Sequence, residues 1–206
     1  MIAGIFYLIF IIFSFIADYF ASFALGDTTI IINKMIASGG LFTIGIISNL
    51  FSALFFLLAA WALYVLLKPI NKNLALLFLL LNLVGVAVQS LSTLHLFAGL
   101  EFLKIQLNSQ AISSINLYKN VFMIAQIFYG TWLFPLGYLI YKSKFIPKFL
   151  GTLLIIDGFA VLLWFFQFFL LPSYEIISYL FLTISLIAEF SLVFWLLFKS
   201  VKFQNP

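Results

Sequence analysis

Six long apolar runs, at residues 2–24, 41–67, 74–100, 119–141, 149–171 and 175–198, account for most of the chain. At about 1.5 Å of rise per helical residue, each is long enough to cross the roughly 30 Å hydrocarbon layer of a bilayer. A backbone in hydrocarbon must satisfy its own N–H and C=O groups, which leaves helices and closed barrels as solutions. Barrels are built from short segments of alternating polarity, and the sequence has none. The expected fold is therefore all-α: a polytopic membrane protein, a six-transmembrane-helix bundle forming a single membrane-embedded domain over residues 1–206. Composition agrees, since 66% of the residues are hydrophobic and 8% charged. Soluble domains are about a quarter charged, so no water-facing shell could be assembled from this chain.

Charge placement supplies an orientation. In a soluble protein a net charge of +4 would suggest nucleic acid, but here the ten basic residues, all lysine, sit mainly in links and tails. No nucleic-acid partner is expected; the partner is the lipid bilayer. Lys68 and Lys72 lie in one link, Lys142, Lys144 and Lys148 in another, and Lys199 and Lys202 in the tail. The alternate links are poorer: Asp27 with Lys34, Glu101 with Lys104 and Lys119, and Glu175 alone. With six crossings all lysine-rich segments share a side, which the positive-inside rule makes cytoplasmic together with both termini. Abundant Ile, Phe, Asn and Lys without arginine suggests an AT-rich bacterial genome, hence a bacterial cytoplasmic membrane. Ser22-Phe23-Ala24 has the form of a cleavage site. However, no basic residue precedes it and its apolar run exceeds a signal h-region, so the first run is read as an uncleaved span. With no cysteine there is no disulfide, thiolate nucleophile or Cys-ligated metal.

Two outer links carry local signals. Asp27 suits an N-cap, Gly39-Gly40 suits a stop, and Ile31, Ile32, Met35 and Ile36 share a helical face. A short amphipathic helix at the outer interface and an ordinary loop both fit this pattern. The link from Glu101 to Leu117 is rich in Ser, Asn and Gln and shows no catalytic pattern. No internal repeat is present, so an inverted-repeat transporter is not expected.

Several stretches carry a family resemblance. They are Ala3-Gly4-Ile5-Phe6-Tyr7-Leu8, then Ala62-Leu63-Tyr64 followed by Lys68-Pro69-Ile70-Asn71. The most specific is Gly130-Thr131-Trp132-Leu133-Phe134-Pro135-Leu136-Gly137-Tyr138-Leu139, running on to Lys142-Ser143 and Ile146-Pro147-Lys148-Phe149-Leu150-Gly151. Glu189-Phe190-Ser191-Leu192 with Trp195-Leu196-Leu197 completes the set. On these motifs the chain resembles the bacterial domain-of-unknown-function 4386 family of small multi-pass membrane proteins. The resemblance implies a fold and a membrane, and no activity.

Ionisable groups inside a bilayer cost at least about 2.5 kcal/mol at mid-depth, so each is a functional candidate by default. Here they are Asp18, Asp157, Glu189 and His95. Asp18 and His95 fall roughly 9–12 Å inside the outer boundary, and Asn49 and Gln126 share that depth on two further helices. Such a layer lines an outward-opening cavity or ties the bundle together through interhelical hydrogen bonds, which average about 0.6 kcal/mol each. In the third run Asn82, Gly85, Gln89, Ser92 and Thr93 fall within about 100° of one another, a seam that is either packing glue or a ligand track. Ala17 with Ala21, Ser48 with Ser52, and Gly151 with Gly158 mark close helix contacts, and Pro135 predicts a kink in the fourth run. Asp157 and Glu189 fall at about 12 and 15 Å from the inner ends of adjacent antiparallel helices. They either meet, sharing one proton or a cation, or serve separate hydroxyl networks, Glu189 with Ser185.

The inventory removes sharper chemistries. One histidine falls short of a zinc hydrolase or a bis-His haem site. No mid-membrane lysine is available for a retinal Schiff base, and no Gly-x-Ser-x-Gly elbow, phosphate loop or dinucleotide fingerprint appears. No cofactor, metal or catalytic residue is therefore expected. The leading expectation is a non-enzymatic bundle that binds or passes a small hydrophobic or amphipathic molecule, or supports a partner protein. The ligand-binding candidates are Asp18, Asn49, Gln89, His95 and Gln126. An ion-coupled carrier using the intramembrane acids Asp157 and Glu189 is the alternative, followed by a lipid-acting enzyme with His95 as base and Asp18 as orienting group.

Overall fold

The computed structural model describes residues 1–21, 27–38, 40–174 and 176–198. Seven α-helices are present among them: α1 (Ile2–Ala21), α2 (Thr28–Ser38), α3 (Gly40–Leu67), α4 (Lys72–Lys104), α5 (Asn108–Lys142), α6 (Lys148–Leu170) and α7 (Ile176–Phe198). A single 3-10 turn, Pro172–Tyr174, joins α6 to α7, and the described residues contain no strand. All but α2 are long and apolar enough to cross a membrane. The cleavage-site-like Ser22-Phe23-Ala24, Gly39, Glu175 and the tail lysines Lys199 and Lys202 lie outside the described residues.

The six spans form a closed ring in chain order, α1 against α3, then α4, α5, α6 and α7, with α7 returning to α1. Neighbours run antiparallel. Ser14 meets Ser52 across α1 and α3 (Oγ–Oγ 2.6 Å), and Phe10 stacks on Phe56 at 4.4 Å between ring centroids. Gln167 accepts from Ser178 across α6 and α7 at 2.8 Å. Short links leave no other geometry, and they put Lys68, Lys72, Lys142, Lys144 and Lys148 at the same end as the start of α1. That end is firmly capped: Asn71 Oδ1 accepts from the Leu74 amide at 3.0 Å, and Ser143 Oγ accepts from the Ile146 amide at 3.2 Å.

The α5–α6 contact is built from backbone. A Cβ on Gly151 would lie 2.5 Å from the Gly137 carbonyl oxygen, and one on Gly158 would lie 2.9 Å from that of Gly130. Four glycines seven residues apart on each helix thus let two main chains touch, a packing mode that lipid-embedded helices favour. Ala17 and Ala21 serve α1 in the same way, facing Gly45 of α3. Pro135 sits within an unbroken α5.

The outer end differs from a plain set of links. Asp27 Oδ1 accepts from the Ile30 amide at 2.7 Å and starts α2, which packs against α1, α3 and α5. Ile31 and Met35 are its buried residues, in an apolar cluster with Ala17, Ala21, Phe42, Ile46, Leu96, Ile115 and Tyr118. Ile36, expected on the same face, is instead 69% exposed. Lys34 Nζ donates to the Tyr19 carbonyl at 2.8 Å, neutralising the last turn of α1. The link 101–117 is almost entirely helical. Gln106 adopts φ 62°, its amide donates to Leu103 O and the Leu107 amide to Phe102 O, a Schellman turn without glycine. α5 then begins at Asn108, eleven residues before the expected start, because Ala111, Ser114, Ile115 and Tyr118 at helical spacing are all buried.

Candidate functional site

Several polar residues of the spans converge on one cavity of about 230 Å³ within the ring. Every spanning helix contributes to it: Ser14 and Asp18 from α1, Asn49 from α3, Gln89 from α4, Gln126 and Tyr129 from α5, Trp164 from α6, and Ser185 and Glu189 from α7. On α1 and α7 the positions repeat at helical spacing, as in Phe10, Ser14, Ala17 and Asp18, or Leu182, Ser185, Leu186 and Glu189, so each of these two helices turns one stripe inward. Toward the lysine-rich end the floor is aromatic. Phe56 packs edge-on against Trp132 at 5.1 Å and against Tyr129 at 5.2 Å. Toward the outer end Phe122 faces Trp164 at 6.4 Å, below the apolar cluster sealed by α2. The wall at α7 is thin: Leu186 lines the cavity and is also 49% exposed.

One wall is an ordered hydrogen-bond chain. Tyr129 Oη donates to Gln89 Oε1 at 2.6 Å, Gln89 Nε2 donates to Asn49 Oδ1 at 3.1 Å, and Asn49 Nδ2 donates to Thr93 Oγ1 at 3.1 Å. Thr93 closes the chain by donating to the Gln89 carbonyl at 3.2 Å. Each side-chain amide thereby has a donor and an acceptor satisfied across three helices, which lipid could not provide. The chain fixes the orientation of the two amides, and both residues line the cavity. Asn82, at the inner end of the same seam, is fully buried, and neither of its amide atoms bonds a described residue.

The opposite wall is acidic. Glu189 lines the cavity, and the fully buried Tyr7 hydroxyl lies beside it. Asp157 is also fully buried, behind that wall. It accepts from Ser185 Oγ through Oδ1, while Oδ2 bonds no described residue. The two acids sit within electrostatic reach of each other but are not hydrogen-bonded together. Ser185 therefore serves Asp157 across the helix pair, not Glu189 on its own helix as one expectation had it. Among the described residues no Lys or His lines the cavity, and no group of His, Asp and Glu could hold a metal ion.

Of the residues singled out by sequence, Asp18, Asn49, Gln89, Gln126 and Glu189 line one space and Asp157 stands one hydrogen bond behind it. His95 does not join them. It is half-buried on α4, does not line the cavity, and makes no hydrogen bond to a described residue. The pairing of His95 with Asp18 at a common centre is not assembled. Sequence reasoning missed Tyr129, Trp132 and Trp164 as lining residues, and gave Ser185 the wrong acid. The stripe spacing on α5 and α7 held that signal, but aromatic residues in a chain with 28 phenylalanines carry little contrast.

A ring of six spanning helices around a largely apolar, aromatic-walled cavity with a few polar groups defines a multi-pass membrane protein. The chain belongs to the family described as Domain of unknown function (DUF4386), which it matches over residues 2–200. It is similar to an uncharacterized protein of Archaeoglobus fulgidus, 34% identical over 97 residues, covering 47% of this chain and 50% of that one. The chain thus spans about half the length of the curated relative that it matches. No solved structure matches it.

Proposed function

We propose that the protein binds, or passes, a small amphipathic molecule in its central cavity, without covalent chemistry. The observation that carries this reading is the cavity itself, to which all six spans contribute and five of them a side-chain carboxyl, amide or hydroxyl. Asn49, Gln89 and Tyr129 are paired across helices, as Gln167 and Ser178 are near the outer end, but unlike that pair they also line the space, together with Glu189 and Asp18. The volume, about 230 Å³, lies just under the roughly 300–1,000 Å³ of ordinary small-ligand sites, so the occupant is small. A coupled carrier is favoured as the second reading by Ser185, which lines the cavity and bonds the Asp157 carboxylate behind it. We place the protein in the cytoplasmic membrane of a bacterial cell with both termini inside, on the grouping of its lysines at one end of the bundle.

Mass spectrometry of the gently purified protein tests the reading against a filled variant, Ala17→Phe, which puts a ring into the cavity. A small molecule retained by the wild type and lost from the variant is the expected result. Identical retained sets for the two proteins would end the cavity reading.

A further inference from the structure

The charge of the cavity is one-sided. Two carboxyl side chains, Asp18 and Glu189, line it, Asp157 stands behind Ser185, and no Lys or His among the described residues faces it. Its remaining surface is dominated by rings: Phe10, Phe56, Phe122, Tyr129, Trp132 and Trp164. Acids could be left over from packing, so the state of their neighbours matters. Asp157 Oδ2 is fully buried and bonds no described residue, while the buried Tyr7 hydroxyl lies beside Glu189. Leaving a carboxylate oxygen without a donor in a bundle core is costly.

We infer, resting on the proposed cavity-binding function, that the occupant is an organic cation: a monovalent ammonium carrying an apolar body. Three features select it. The acids supply the counter-charge that a cation in hydrocarbon requires. The ring faces supply cation–π attraction, strongest for tryptophan and greatest when the site is dry. The side chains of Asn49, Gln89 and Tyr129 fix where the polar head lies. A bare metal ion is disfavoured, because hard cations demand six or more close oxygen ligands and would leave the aromatic walls unused. An anion would face two carboxylates.

The test uses the full-length protein in lipid nanodiscs and two probes of matched shape. Benzyltrimethylammonium carries a permanent charge; neopentylbenzene replaces its nitrogen with carbon and is neutral. Saturable quenching of tryptophan fluorescence reports binding, since Trp132 and Trp164 line the cavity. With each affinity expressed per unit volume of membrane, the charged probe is expected to bind roughly tenfold or more tightly than its neutral isostere. Glu189→Gln should erase most of that preference. Phe122→Leu, which removes a ring and keeps apolar bulk, should weaken the cation several-fold and leave the neutral probe nearly unchanged. Saturable binding of both probes with equal affinity would overturn the cation inference and leave the cavity reading standing. Absence of saturable binding by either probe, in wild type and both variants alike, would overturn the inference and the cavity reading together.

Discussion

Gly151→Ala puts one methyl group into the place where α5 and α6 touch main chain to main chain. The new Cβ would lie 2.5 Å from the Gly137 carbonyl oxygen and 2.6 Å from the Tyr141 amide nitrogen, where ordinary contact begins at 3.4 Å. The shortfall is close to 1 Å, and both obstructing atoms are backbone, so no side chain can rotate away. The helices must separate along their whole crossing, loosening Gly130 against Gly158 as well. Overpacking of this kind costs about 1–3 kcal/mol, offset by up to about 1 kcal/mol for the better helix propensity of alanine. A net loss of about 1–2 kcal/mol is expected. Reversible unfolding in mixed micelles, followed by circular dichroism, measures it, with Gly40→Ala as control because a Cβ there meets nothing within 4 Å. Gly137→Ala creates the reciprocal clash at 2.7 Å from the Gly151 carbonyl oxygen. Once one methyl has parted the helices the second finds room, so the double variant should lose less than the sum of the singles. Equal stability of Gly151→Ala and Gly40→Ala, or strict additivity in the double variant, would refute the argument.

Three further outcomes are expected. Tyr129→Phe leaves Gln89 Oε1 without its 2.6 Å donor and should cost about 0.6 kcal/mol, at most about 1.7; a double-mutant cycle with Gln89→Leu should return that coupling, and a zero coupling would mean the chain is incidental. Gln106→Gly should stabilise the protein by up to about 1 kcal/mol, since residue 106 holds a left-handed φ of 62° that glycine adopts without strain; a destabilised variant would contradict this. Reporter fusions after Lys72, Lys148 and Lys202 should read cytoplasmic, and those near Lys34, Ser109 and Ser173 exterior. A single reversed internal link would break the assigned orientation.

The spans were legible because hydrocarbon thickness sets a length that apolar runs either meet or miss. Their ends were less so, for reasons local to particular residues. Residues 108–118 look like a polar link, yet Ala111, Ser114, Ile115 and Tyr118 form a buried stripe that Ser and Asn masked. No glycine marks the end of α4, because Gln106 takes the conformation that a glycine would usually signal. In the site, depth along a helix could be counted and rotation about it could not. Asp18, Asn49 and Gln126 were placed at one level and do share a cavity. His95 had the same level and faces elsewhere. Ser185 was expected to serve Glu189 by spacing of one turn, whereas its hydroxyl crosses to Asp157 on α6, a contact that depends on how two helices are rotated toward each other.

Leu186 belongs to two surfaces at once: it lines the cavity and stands on the outward side of α7 in line with the exposed Tyr179. The wall between the acyl chains and the cavity is thus one side chain thick at Leu186. For a solute that dissolves in the bilayer, the concentration that drives occupancy is then moles per volume of lipid, not per volume of water. An amphipathic molecule dilute in the surrounding solution is already enriched at that door by its own partition coefficient. A dissociation constant referred to the aqueous phase will accordingly fall as a probe is made more lipophilic, even where its contacts inside the cavity stay the same. It will also shift with the lipid-to-protein ratio of the preparation, and affinities measured at different ratios become comparable once each is expressed per unit of membrane.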